Sequence, residues 1–164
     1  MEPLPTLSHT VVVGIGATAV MDLWLLALKR SGVPTMDFAL LGRWVGHLLQ
    51  GTVAHKAIGR ARPIAGEAGL GWLTHYVVGI VFAALMVALA GVSWLDDPAM
   101  VPALAWGLAT AAAPLFLLQP AMGAGIASSR TAAPLKNTLR SVTNHAVFGM
   151  GLYLSAAALS LITA

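Results

Sequence analysis

All nine Lys and Arg residues of this 164-residue chain fall in two of the three gaps between four long apolar stretches; the remaining gap and both tails have none. The stretches run Ser8–Leu28, Leu70–Gly91, Ala99–Pro120 and Ser141–Ile162. Each is near the ~20 residues an α-helix needs to cross ~30 Å of hydrocarbon. The expected fold is an all-α integral membrane four-helix bundle, with residues 1–164 forming one transmembrane domain.

Lys29, Arg30, Arg43, Lys56, Arg60 and Arg62 lie between or beside the first two stretches, and Arg130, Lys136 and Arg140 lie between the last two. The positive-inside rule makes both segments cytoplasmic, so both termini and the Asp96–Asp97 turn face outward. The start, Met-Glu-Pro-Leu-Pro, lacks the basic region of a secretory signal, and the first stretch is expected to be a retained helix. Charged residues make up 9% of the chain, against about 25% in a soluble domain. The pI near 9.8 reflects cations confined to lipid-flanking segments. Anionic headgroups therefore explain it better than nucleic acid, which is not expected as a partner.

The chain has no cysteine, which excludes disulfides, thiolate metal sites and Cys-ligated clusters. Its longest segment outside the spans, Lys29 to Gly69, is too short for an independent catalytic domain. Function must therefore sit in the bundle or on its cytoplasmic rim. Within that segment Met36, Leu40, Leu41, Trp44, Val45 and Leu48 recur at helical spacing, with Asp37, Arg43, His47 and Gln50 on the other face. This predicts an amphipathic interfacial helix over about 36–50, opened by Thr35 after Pro34. The stretch from Gly51 to Gly69, which carries His55 and Glu67, has no periodicity and reads as a loop folded over the bundle mouth.

The halves show an internal match. Ala17-Thr18-Ala19 corresponds to Ala109-Thr110-Ala111, and His75-x-x-x-Gly79 to His145-x-x-x-Gly149. Two helices per unit would make a parallel 2+2 repeat about an axis along the membrane normal.

Ionisable groups inside a span cost at least ~2.5 kcal/mol on insertion scales, so those present need a reason. Away from the span ends, three Asp or His residues meet that description: Asp22, His75 and His145. Gln119 and Asn144 lie at similar depth, so every span contributes a polar group to one layer near the cytoplasmic leaflet. A structural role is open to each: Asp22 can pair with Arg140, Arg43 or a histidine, and the histidines can bond neighbouring hydroxyls or carbonyls.

Taken together, His75 and His145 are candidate cofactor ligands, since a bundle core can hold a porphyrin between facing histidines. Haem or another tetrapyrrole is the sharpest cofactor hypothesis; a metal ion, a quinone carbonyl or a proton relay would use the same pair. Arg43, His47, His55 and Glu67 would lie over that layer, completing a lidded pocket open to the cytoplasm. The run Gln119–Gly125, followed by Ser128, Ser129 and Arg130, reads as a helix stop or as a backbone nest for a phosphate. The ligand-pocket candidates are thus Asp22, Arg43, His47, Gln119, Arg130 and Asn144. Apart from His9 at the outer edge of the first stretch, the outer halves of the spans carry no Asp, Glu, Lys, Arg or His before Asp96, which argues against a channel.

Five separated motifs, Gly-Ala-Thr-Ala-Val-Met-Asp-Leu-Trp (16–24), Gly-Arg-Trp-Val-Gly-His (42–47), Gly-Trp-Leu-Thr-His-Tyr (71–76), Gln-Pro-Ala-Met-Gly-Ala-Gly-Ile-Ala-Ser-Ser-Arg-Thr (119–131) and His-Ala-Val-Phe-Gly (145–149), resemble the bacterial membrane proteins grouped as domain of unknown function family 2938. The resemblance implies the bacterial inner membrane as location and brings no established activity. Its recurring motifs include Asp22, Arg43, His47, His75, Gln119, Arg130 and His145.

The leading expectation is a non-enzymatic ligand- or cofactor-binding membrane protein. A small proton-coupled transporter and an accessory or assembly subunit of a respiratory or photosynthetic complex are the alternatives. Membrane lipids are the expected surroundings, with a homodimer or larger complex as assembly. An enzyme is the least supported class, for want of a nucleophile–base pair or a specific cofactor motif.

Overall fold

A helix that is apolar on every face has no side to present to water, and each of the long helices of this chain contains a stretch of that kind. The computed structural model describes residues 3–163, and the described chain contains helices and no strand. In order these are α1 (Pro3–Arg30), α2 (Phe38–Leu48), α3 (Glu67–Ala90), α4 (Met100–Thr110), a π-helical segment (Ala113–Leu118) leading into α5 (Gln119–Ala121), and α6 (Pro134–Thr163). Four helical spans, Thr6–Arg30, Glu67–Ala90, Met100–Ala121 and Pro134–Thr163, are long and apolar enough to cross a membrane. The chain is a multi-pass membrane protein.

The last span starts at Pro134, seven residues before the apolar stretch. Proline is favoured at a first helical position, where its missing N–H has no partner to lose. The polar turns that follow are invisible to a search for continuous apolarity. His145 therefore lies eleven residues inside α6.

The chain divides into two compact units. The first holds the chain up to Pro34, Tyr76–Thr110 and the chain from Thr143 onward. Its helices meet through small residues. A Cβ on Gly14 would strike the α3 backbone at Ile80, and one on Gly107 would strike the α6 backbone at Gly149. The space opposite Gly79 is filled by Thr18, and that opposite Gly16 by Ser155. Around these crossings Val13, Ala17, Ala83, Met86, Phe148, Leu152 and Ala156 form the core, closed by Trp94 and Leu95 from the short 3₁₀ turn Val92–Leu95. The Trp106 indole donates to the Phe82 carbonyl at 2.9 Å, linking α4 to α3.

The second unit comprises Thr35–His75 and Ala111–Val142. Its α2 starts later than the sequence suggests: the cap is Asp37, not Thr35. Asp37 has extended backbone angles, and its carboxylate accepts from the Ala39 N–H at 2.9 Å. Asp37 directly precedes the first helical residue, Phe38, and so satisfies an orphan donor that Thr35, two residues earlier, would leave open. Main chain then meets main chain: a Cβ on Gly42 would enter the Glu67 carbonyl, and one on Gly71 the Phe38 carbonyl. Pro114, lacking an N–H, breaks the regular ladder of the third span, and the Gln119 N–H reaches back five residues to the Pro114 carbonyl.

The Gly42 contact yields a test. Gly42→Val should lower thermal stability in detergent by about 1–3 kcal/mol, as overpacking does, and should open the 51–66 loop to protease. A variant as stable and protease-resistant as the parent would show that α2 is not docked in this way.

Candidate functional site

In the first unit the polar groups of the spans pair with one another. The Tyr76 hydroxyl donates to the Asp22 carboxylate at 2.8 Å, tying α3 to α1. The Trp24 indole donates to the Asn144 side-chain oxygen at 3.0 Å, tying α1 to α6. The Thr110 hydroxyl donates to the Gly107 carbonyl at 2.6 Å and lies 2.8 Å from His145 Nδ1. Since that hydroxyl proton is already given away, its oxygen accepts from Nδ1–H, which makes Nε2 the acceptor nitrogen of His145. Phe82 stands edge-on to the His145 ring with centroids 6.4 Å apart.

The polar groups thus occupy one end of this unit. Near the other end, Thr6, Leu7, Thr10, Ala84, Val87, Ala88, Gly91 and Val92 line an open, mostly apolar groove of about 570 Å³. Tyr76 is not among the residues expected from the sequence, because a phenol carries no charge to mark it as a partner of Asp22. Its position next to His75 was the available signal.

The second unit is organised around Arg43. Its Nε and Nη2 both donate to Glu67, at 2.8 and 2.6 Å, a bidentate pair that fixes α2 on the start of α3. Glu67 also accepts from the Ile64 N–H at 2.9 Å. The hydrogen bond to Glu67 raises the Arg43 guanidinium above its ordinary value, so its charge is permanent. Four residues along α2, His47 Nε2 meets the Arg62 carbonyl at 2.9 Å. The Trp44 indole donates to the Val53 carbonyl at 2.9 Å and holds the loop after α2.

That loop carries His55. Its backbone is pinned to the turn after α5 by His55 N–H to the Ala121 carbonyl at 2.8 Å and Ile58 N–H to the Met122 carbonyl at 3.0 Å. Gly123, at φ +96°, permits the approach, because a Cβ there would enter the Lys56 carbonyl. The His55 ring stands edge-on to the His47 ring, with centroids 4.9 Å apart and planes at 80°. Both His55 ring nitrogens are buried and without a hydrogen-bond partner, the only such side-chain atoms among the described residues. Among those residues no three His, Asp or Glu side chains converge on one point.

The other expected residues of this unit have local partners. His75 packs under Phe38 with ring centroids 4.4 Å apart, and Trp72 stacks on the same Phe38 at 4.5 Å. Gln119 accepts from the Ser128 hydroxyl at 3.0 Å. Ala127 and Ser128 are both left-handed, at φ 47° and 61°, a conformation costing roughly 1–2 kcal/mol per residue. Thr138 holds the Ala127 carbonyl and Thr131 the Ser128 carbonyl, each at 2.8 Å. The amides of Ala124, Arg130 and Thr131 bond carbonyls of the same run. The run is a self-bonded helix stop with Arg130 exposed at its end.

The family model described as Protein of unknown function (DUF2938) matches residues 11–159. The chain belongs to that family. No curated protein and no solved structure matches it. The matched residues of this DUF2938 protein include both units' polar groups. Of the candidates, Asp22, Asn144 and His145 belong to the first unit; Arg43, His47, His75, Gln119 and Arg130 belong to the second.

Removing the phenol hydroxyl isolates one interhelical bond. Tyr76→Phe should lower unfolding stability in mixed micelles by about 0.6–1.7 kcal/mol, the range of interhelical hydrogen bonds in membranes. Combined with Asp22→Asn, the two losses should be less than additive. Full additivity would mean the pair is not coupled.

Proposed function

We propose that this chain is a non-enzymatic ligand-binding protein of a bacterial cytoplasmic membrane, with its second unit on the cytoplasmic side and carrying the binding residues. The charge pattern supports the orientation. Seven of the nine cations lie in the second unit, and Lys29 and Arg30 close α1. The positive-inside rule assigns such a unit to the cytoplasm, with both termini outside.

His55 carries the binding reading. A buried polar group left without a partner costs about 1–3 kcal/mol, and native proteins keep few of them. This one sits in a loop clamped on both sides rather than in a loose segment, which is how a protein holds a group in place for something else to meet. Purely structural polar residues look different here: Arg43, Glu67, Gln119 and Ser128 all have partners.

The reading has a stability signature. In protein freed of small molecules by dialysis and gel filtration, His55→Leu should be as stable as the parent or more so, by up to about 1–3 kcal/mol, because it removes an unsatisfied group. Protein isolated directly from its native membrane should lose stability on the same substitution, as bound ligand is lost. A His55→Leu variant that is markedly less stable than the parent in both preparations would refute the reading.

A further inference from the structure

We propose that His47 and His55 form a binding site for a divalent first-row transition-metal ion, His47 ligating through Nδ1. The inference rests on the ligand-binding reading above and names the ligand class. A carbonyl can only accept, so the 2.9 Å contact with the Arg62 carbonyl places the His47 proton on Nε2 and the lone pair on Nδ1. Metal-ligating histidines are almost always oriented in this way, the other ring N–H donating to a carbonyl or carboxylate. His47 thus has its tautomer and ring direction set by the main chain.

His55 supplies the second ligand. Either of its nitrogens can present a lone pair, and neither has a competing partner. At metal–nitrogen distances of about 2.0–2.1 Å, two imidazoles on one ion have ring centres roughly 5 Å apart. The observed separation is 4.9 Å with the planes at 80°. Both rings are held from outside the pair, His47 by α2 and its docking through Gly42 and Arg43, His55 by the bonds to Ala121 and Met122.

The donor set indicates the metal. Imidazole suits Zn²⁺, Ni²⁺, Co²⁺ and Cu²⁺, whereas Mg²⁺ and Ca²⁺ prefer oxygen. Glu67 is engaged by Arg43 and the Ile64 N–H and supplies no third ligand. Among the described residues the site therefore offers two ligands, and the remaining positions go to water or to a group brought by another molecule, the arrangement of an exchangeable site rather than a closed structural one.

The test is Co²⁺ and Zn²⁺ titration of the full chain in mild detergent, followed by calorimetry and by the visible Co²⁺ bands, with Mg²⁺ as control. Saturable binding of one ion per chain is expected, weakened at least tenfold by His55→Leu and by His47→Phe and unchanged by His9→Ala. Circular dichroism and melting of each variant establish that it is folded. The proposal is overturned if a folded His55→Leu variant binds as the parent does, if Mg²⁺ binds equally, or if no ion binds. In the last case a His55→Leu protein that still shows the preparation-dependent stability change would retain the ligand-binding reading and remove only the metal. If that change is missing as well, both fail.

Discussion

Lipid tails are as apolar as leucine, so helices in a bilayer gain little by exchanging lipid contacts for each other's unless their backbones approach more closely than large side chains allow. The chain meets this constraint with glycine and small residues. In the first unit Gly14, Gly79, Gly107, Gly149 and Gly151 let α1, α3, α4 and α6 cross at close range. In the second, Gly42 and Gly71 bring α2 against the first turns of α3 main chain to main chain. Without that second contact Arg43 would not reach Glu67, and His47 would not face the Arg62 carbonyl.

Polar groups within the spans then divide by what they do. Asp22 with Tyr76, Trp24 with Asn144 and Thr110 with His145 are interhelical ties, each made of groups that would be expensive alone in hydrocarbon. Their pairing lowers that cost and fixes helix register. The second unit contains satisfied groups of the same kind and one exception, His55, whose nitrogens are buried beside His47 and bonded to nothing. This difference between the bonded His145 and the unbonded His55 is why the proposed site lies in the α2–loop–turn assembly rather than in the spans.

Much of the architecture was legible in the sequence, because continuous apolarity and clustered cations act over whole segments. The four spans were readable on that basis, and the amphipathic helix after the first was readable from its helical periodicity. Features decided by single side chains were less so: Asp37 rather than Thr35 caps α2, and Pro134 starts α6 before apolarity begins. Pro114 converts part of the third span to π-helix. Asp22 takes a phenol as partner, which a search for opposite charge does not consider. His55 was visible as a loop histidine. Its unsatisfied nitrogens depend on the clamp through Ala121, Met122 and Gly123, which lie more than sixty residues away in sequence, and no local pattern reports such a contact.

The proposed orientation puts the unit that carries His47 and His55 inside the cell, and the absence of cysteine makes this directly measurable. Single cysteines at Asp97→Cys and Ala132→Cys, both exposed positions, would be treated with a membrane-impermeant maleimide in intact and permeabilised cells. The account predicts that position 97 reacts in intact cells and position 132 only after permeabilisation. The reverse pattern would contradict the orientation, and reaction of both in intact cells would contradict the span between them.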